Sequence, residues 1–106
     1  MFAFISPAAR ANIFSADGNY WTQVCTHKDL KETVCPAFIF GLRGAFEMSA
    51  DYYKVPKKHL YCPLDGIILQ QSVDIFIKFL KENLKDRHIT ARVLFIKAMR
   101  GYFPCG

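Results

Sequence analysis

Apolar residues recur at helical spacing in four stretches of the chain, and no stretch alternates as a half-buried strand requires. Trp21, Val24 and Cys25 share one face at i, i+3, i+4 and predict a short first helix, capped by Asp17 or Asn19. A second predicted helix opens at Asp29 and Glu32, spaced as a capping box whose side chains satisfy free backbone N–H groups. Its apolar face runs Leu30, Val34, Phe38, Leu42, Ala45, Phe46. Pro36 interrupts that run, so the helix either kinks there or restarts with Pro36 in its first turn. Along the same segment Ala37, Gly41 and Ala45 lie four apart and form a groove of small residues. Close packing inside the monomer is the preferred reading of that groove, with a dimer contact as the other.

Tyr52 to His59 leaves helical patterning as a basic and aromatic loop. Pro63 and the Asp65-Gly66 step lead to a third predicted helix, with Leu69, Val73, Phe76, Ile77, Leu80 and Leu84 as its apolar stripe. Lys78 and Glu82 lie off that stripe at i, i+4, where they can pair. The polar knot Lys85-Asp86-Arg87-His88 breaks the pattern. Thr90 or His88 opens a fourth helix bearing Val93, Leu94, Ile96, Ala98 and Met99, weakened by Gly101 and ended by Pro104. The fold class is therefore all-α, a small bundle of about four helices.

Composition narrows the setting. The chain has 106 residues, one domain's worth, and with 52% hydrophobic and 22% charged residues it is not intrinsically disordered. The longest runs free of Asp, Glu, Lys and Arg, Gly18–His27 and Thr33–Leu42, are far shorter than the roughly 18 to 20 residues of a membrane span. A membrane partner is not expected. Residues 1–11, MFAFISPAARA, end in Ala9-Arg10-Ala11, small residues at the two positions a signal peptidase reads. They read as the remnant of a signal peptide, the domain then being residues 12–106; an ordinary N-terminal tail is the alternative. Cys25, Cys35, Cys62 and Cys105 read as a disulfide framework if the chain is exported. The net charge of +5 favours an acidic partner at long range.

Little in the chain resembles an active site. His59-x-x-Cys62 with Cys25-x-His27 would supply four zinc ligands, but there is no C-x-x-C knuckle and two cysteines would be left over. Neither metal nor cofactor is expected. A cysteine nucleophile lacks any local signature of a base and an orienting carboxylate. Gly41-x-x-Gly44 falls within a helix and offers no phosphate cradle. Basic residues are scattered rather than striped, so nucleic acid is not expected either. Composition and spacing stop at a helical domain that acts by binding.

Two stretches go further. Tyr61-Cys62-Pro63, then Gln70 or Gln71, Phe79-Leu80, Ala98-Met99 and the closing Phe103-Pro104-Cys105 resemble the Rap/Tai family of immunity proteins. Upstream, Gly18-Asn19 with Cys25, and Cys35 followed by Phe38-Ile39-x-Gly41, look like the family's other half. The likeness spans about residues 18 to 105. It departs from the family at Pro36 and in the absence of a proline between Leu84 and Ile89.

The resemblance implies a periplasmic, all-helical homodimer with no catalytic residue. Its partner would be a cognate peptidoglycan amidase effector of type VI secretion, an NlpC-like cysteine peptidase whose cleft it occludes. Of the three possible pairings, Cys25–Cys35 with Cys62–Cys105 is then expected. Two exposed turns are the candidate toxin contacts: Lys85, Asp86, Arg87 and His88, and Tyr52, Tyr53, Lys54, Lys57 and Lys58. The competing reading is a non-inhibitory helical interaction module, or a small subunit, that sets its basic loop on an acidic partner.

Overall fold

The structure, a computed structural model, describes residues 16–106; the expectation for residues 1–11 lies outside them. Among the described residues there are four α-helices: α1 (Gly18–Thr26), α2 (Val34–Asp51), α3 (Leu69–Glu82) and α4 (Ala91–Tyr102). Single 3-10 turns occupy Lys57–His59 and Leu84–Asp86. The all-α bundle expected from periodicity is the observed fold.

Local chemistry explains where the helices begin. Asp17 caps α1, its carboxylate accepting the Tyr20 N–H at 3.0 Å. The capping box expected at Asp29 and Glu32 does not form: those residues sit in a turn, and α2 begins at Val34. Pro36 decides this, because a helix begun at Leu30 would place it in the interior, without an N–H and against the Glu32 carbonyl. Beginning at Val34 puts Pro36 in the first turn, where its missing N–H costs nothing.

α3 packs against each of the other helices, and α1 also touches α2 and α4. Phe95 of α4 lies at the centre of an aromatic cluster, with Phe46, Tyr61 and Phe76 at centroid distances of 6.2, 5.9 and 5.8 Å. Trp21 stacks on Phe38 at 3.7 Å with the rings 8° from parallel, joining α1 to α2. Cys25–Cys35 ties the same two elements, and Cys62–Cys105 ties the chain's end to the segment before α3. Both pairings are those expected. They consume both cysteines of the zinc set weighed from the sequence.

The irregular segment from Leu60 to Ile68 is held by long side chains rather than by its own hydrogen bonds. Arg100 Nε donates to the Leu60 carbonyl at 3.0 Å, and the Arg43 guanidinium donates to the Ile67 carbonyl. The Cys62 N–H donates to the Phe103 carbonyl at 2.9 Å. Buried backbone oxygens need such partners, and here arginines from α2 and α4 provide two of them.

Candidate functional site

The turn between α3 and α4 is built from its backbone outward. Asn83 leaves helical geometry at φ −128° and ψ 61°, which ends α3 and starts the 3-10 turn at Leu84. Arg87 Nε then reaches back to the Leu80 carbonyl at 2.8 Å, satisfying an orphan acceptor in the last turn of α3. Across the gap, the Gly18 N–H donates to the Ile89 carbonyl at 3.1 Å and the Asn19 N–H to the Arg87 carbonyl at 3.0 Å. The first two N–H groups of α1 are thus satisfied from this side, and the Tyr20 N–H by Asp17. Glycine suits that approach: a Cβ on residue 18 would lie 3.0 Å from the Arg87 Cα and carbonyl oxygen, and the turn would have to give by a few tenths of an ångström.

The four residues expected to act here divide by burial. Lys85 and His88 are exposed, whereas Asp86 and Arg87 are half-buried, with Arg87 committed to holding the turn. Leu84 was expected on the inward stripe of α3, and the structure corrects this: it is 66% exposed. The helix stops at Glu82, two residues earlier, so the 3.6-residue period no longer carries Leu84 back to the core. Asn83 was the available signal, since asparagine is common where helices end. Leu84, Lys85 and His88 together make a tip of one apolar, one cationic and one imidazole side chain on a braced turn.

The second candidate loop follows α2. Tyr52 and Tyr53 stand exposed and edge to face, their centroids 5.1 Å apart. Lys54 adopts φ 60°, and the Val55 N–H donates to the Ser49 carbonyl at 2.9 Å, which closes the C-terminus of α2. Lys57 and Lys58 are exposed, and the disulfide sulfur of Cys105 rests 3.2 Å from the Lys57 carbonyl oxygen. That contact is not a hydrogen bond, because a disulfide sulfur carries no proton. Beneath the tyrosines, Gly44, Glu47, Met48 and Asp51 line an open depression of about 540 Å³, whose carboxylates the sequence reading did not single out.

The two candidate surfaces are not brought together. α4 begins at Ala91, just after the first, and ends near Cys105, beside the second. Its twelve residues separate them by about 18 Å at 1.5 Å per residue. On the flank between α3 and α4, Lys78 Nζ donates to the Tyr102 hydroxyl at 3.1 Å. That hydroxyl, with lesser help from Glu82, holds the Lys78 amine above its usual range.

Among the described residues no group of three or more His, Cys, Asp or Glu side chains could hold a metal ion, and no helix is long and apolar enough to cross a membrane. The sequence model of the Rap1a immunity proteins matches residues 17–105. The chain belongs to that family. Neither a curated protein nor a solved structure matches it. For a Rap1a immunity protein the relevant chemistry is that of a binding surface, since its partner is a cognate effector. Gly18-Asn19 and Phe103-Pro104-Cys105, the motifs that carried the resemblance, prove to be joints of the fold: the first braces the α3–α4 turn and the second closes the C-terminal disulfide.

Proposed function

We propose that this Rap1a protein is the periplasmic immunity partner of a type VI secreted peptidoglycan amidase, an NlpC-like cysteine peptidase. On this reading it inhibits by lodging the Leu84–His88 turn in the enzyme's cleft, without a catalytic step of its own. One observation carries the choice of turn. Its backbone is tied to α1 through Gly18 and Asn19 and to α3 through Arg87, while Leu84, Lys85 and His88 remain exposed. A loop already held in one shape loses little entropy on binding, and an exposed leucine beside a lysine can both anchor and steer. Export supplies the oxidising space that two disulfides require, and residues 1–11 are read as its remnant signal. The homodimer belongs to the same reading.

The test is inhibition of an NlpC-like peptidoglycan amidase effector by this chain, measured as peptidoglycan crosslink cleavage. Leu84→Asp combined with Lys85→Ala and His88→Ala should weaken inhibition at least about tenfold, because buried anchors dominate interface energy. The thermal midpoint should hold, since none of the three packs in the core. Full inhibition by that variant would exclude the turn as the plug. Binding without inhibition would favour the interaction module, with Tyr52, Tyr53, Lys54, Lys57 and Lys58 as its surface.

A further inference from the structure

The positive charge of this chain is concentrated around α4. Residues 87–106 contain Arg87, Arg92, Lys97 and Arg100 and no Asp or Glu, so they hold four of the five net positive charges. Basic residues are scattered along the sequence, and the fold gathers three of these four on one helix face. α4 buries Ala91, Leu94, Phe95, Ala98 and Met99 in the bundle. Arg92, Lys97 and Arg100 fall on the opposite side and are exposed. Between them stand Val93, 40% exposed, and the half-buried Ile96. Arg92, Ile96 and Arg100 make one row at i, i+4, i+8, with Val93 and Lys97 in the row beside it. No carboxylate lies within four positions of any of the three cations, so none is neutralised along the helix. Further cations border both ends. Lys85 is exposed on the turn before α4, and Lys57 and Lys58 are exposed on the turn before Leu60, whose carbonyl accepts from Arg100 Nε.

A strip of cations about 12 Å long, with aliphatic side chains between them, fits an extended anionic partner that also takes up apolar groups. Nucleic acid would call for exposed aromatic rings on the strip, and it carries none: Phe95 is buried, and Tyr102 is engaged by Lys78 on the α3 flank. A polymer of sugars and peptides offers carboxylates but no apolar layer for Val93 and Ile96. An anionic bilayer surface offers both, with phosphates at headgroup level and the acyl boundary just beneath. Lying on a membrane does not require the long apolar helix that crossing one needs, and no described helix is of that kind.

We propose that the outward face of α4 rests on a phospholipid surface rich in anionic headgroups. Arg92, Lys97 and Arg100 pair with the phosphates, and Val93 and Ile96 enter between the headgroups. The proposal does not depend on the inhibitory reading above. Its test is co-sedimentation of the full chain with vesicles of equal parts phosphatidylcholine and phosphatidylglycerol, in about 0.1 M salt, where charges are screened beyond about 10 Å. These vesicles should carry the chain into the pellet, phosphatidylcholine alone should not, and about 1 M salt should release it, because the screening length then falls to about 3 Å. Each Lys or Arg at such a surface strengthens binding about fivefold, so Arg92→Glu with Lys97→Glu should weaken it at least about 25-fold. Both positions are exposed, so the thermal midpoint should hold. Arg100 is left in place because it secures Leu60. Lys28→Glu with Lys31→Glu, on the exposed turn after α1, changes the net charge equally and should cost less than about fivefold, since only charges at the contact lie within the screening length. Absence of the chain from the anionic pellet, equal pelleting with phosphatidylcholine alone, or an equal loss in the two double variants overturns the proposal. Binding to insoluble peptidoglycan in place of the vesicles also overturns it, and gives the strip to a carboxylate polymer.

Discussion

Gly18 and Arg87 meet backbone to backbone, so closely that a Cβ at residue 18 would crowd the Arg87 Cα and carbonyl oxygen at 3.0 Å. A Cβ there would also come within 2.6 Å of Leu94 Cδ1. Leu94 can rotate, but the Arg87 backbone moves only with its whole turn. Gly18→Ala should therefore destabilise by about 1–2 kcal/mol, overpacking outweighing the gain in helix propensity. Urea unfolding should show a lower midpoint, and hydrogen exchange should quicken at the Gly18 and Asn19 amides bonded to the turn. Unchanged exchange at those amides would mean that the glycine does not brace the turn.

Lys54 holds a left-handed conformation, φ 60°, that costs an L-residue about 1 kcal/mol. Lys54→Gly removes that strain but makes the unfolded chain more flexible, so the net gain should be about 0.5 kcal/mol. Lys54→Val, β-branched at the same position, should lose stability instead. Thermal melts of the two variants should fall on opposite sides of the parent.

The Cys62–Cys105 bridge closes a separation of 43 residues and Cys25–Cys35 one of 10. In the chain-entropy model these contribute about 4 and about 3 kcal/mol. Cys25 and Cys35 are buried, whereas Cys62 and Cys105 are only partly so. Graded reductant should therefore open Cys62–Cys105 first, and most of the stability loss should accompany that step. Mass spectrometry after alkylation, read against the unfolding midpoint, checks the order.

Tyr61 is fully buried, and its hydroxyl has no hydrogen-bond partner among the described residues. Burial pushes the phenol up to about 12, with Arg43 opposing the shift and Glu47 adding to it. The folded pKa lies above the unfolded value of 10.0, so this contribution is whole below about pH 10 and is lost as pH rises through about 12. Two units correspond to about 2–3 kcal/mol. Tyr61→Phe should abolish that alkaline component, visible as the difference between parent and variant stability from pH 9 to 12. At pH 7 the same change should be neutral or stabilising by about 1 kcal/mol, because it removes an unsatisfied buried hydroxyl.

Much of the fold was legible because helical period is a local property. The stripes through Trp21, Val73 and Leu94, and the cap at Asp17, follow from short-range sterics and hydrogen bonding, and the helices lie where they predict. At α2 two local signals competed, a capping box at Asp29 and a proline at residue 36, and the stronger steric constraint won. The candidate site was only half legible. Periodicity placed a polar turn at residues 85–88 but could not show that Arg87 spends its guanidinium on Leu80, or that Leu84 faces outward.

By itself the sequence determined four helices, the positions at which they can start, and, through the resemblance, the disulfide pairing. Tertiary structure decided which faces remain free. Ala37, Gly41 and Ala45 carry the pattern of a buried groove yet stand exposed, because α2 turns its opposite side to the core, around Cys35, Ile39 and Phe46. Arg87 turns inward because α3 ends with an unsatisfied carbonyl within its reach, and that geometry exists only once the helix has stopped. A residue's type states which contacts it can make; its neighbours in space decide which of them it does make.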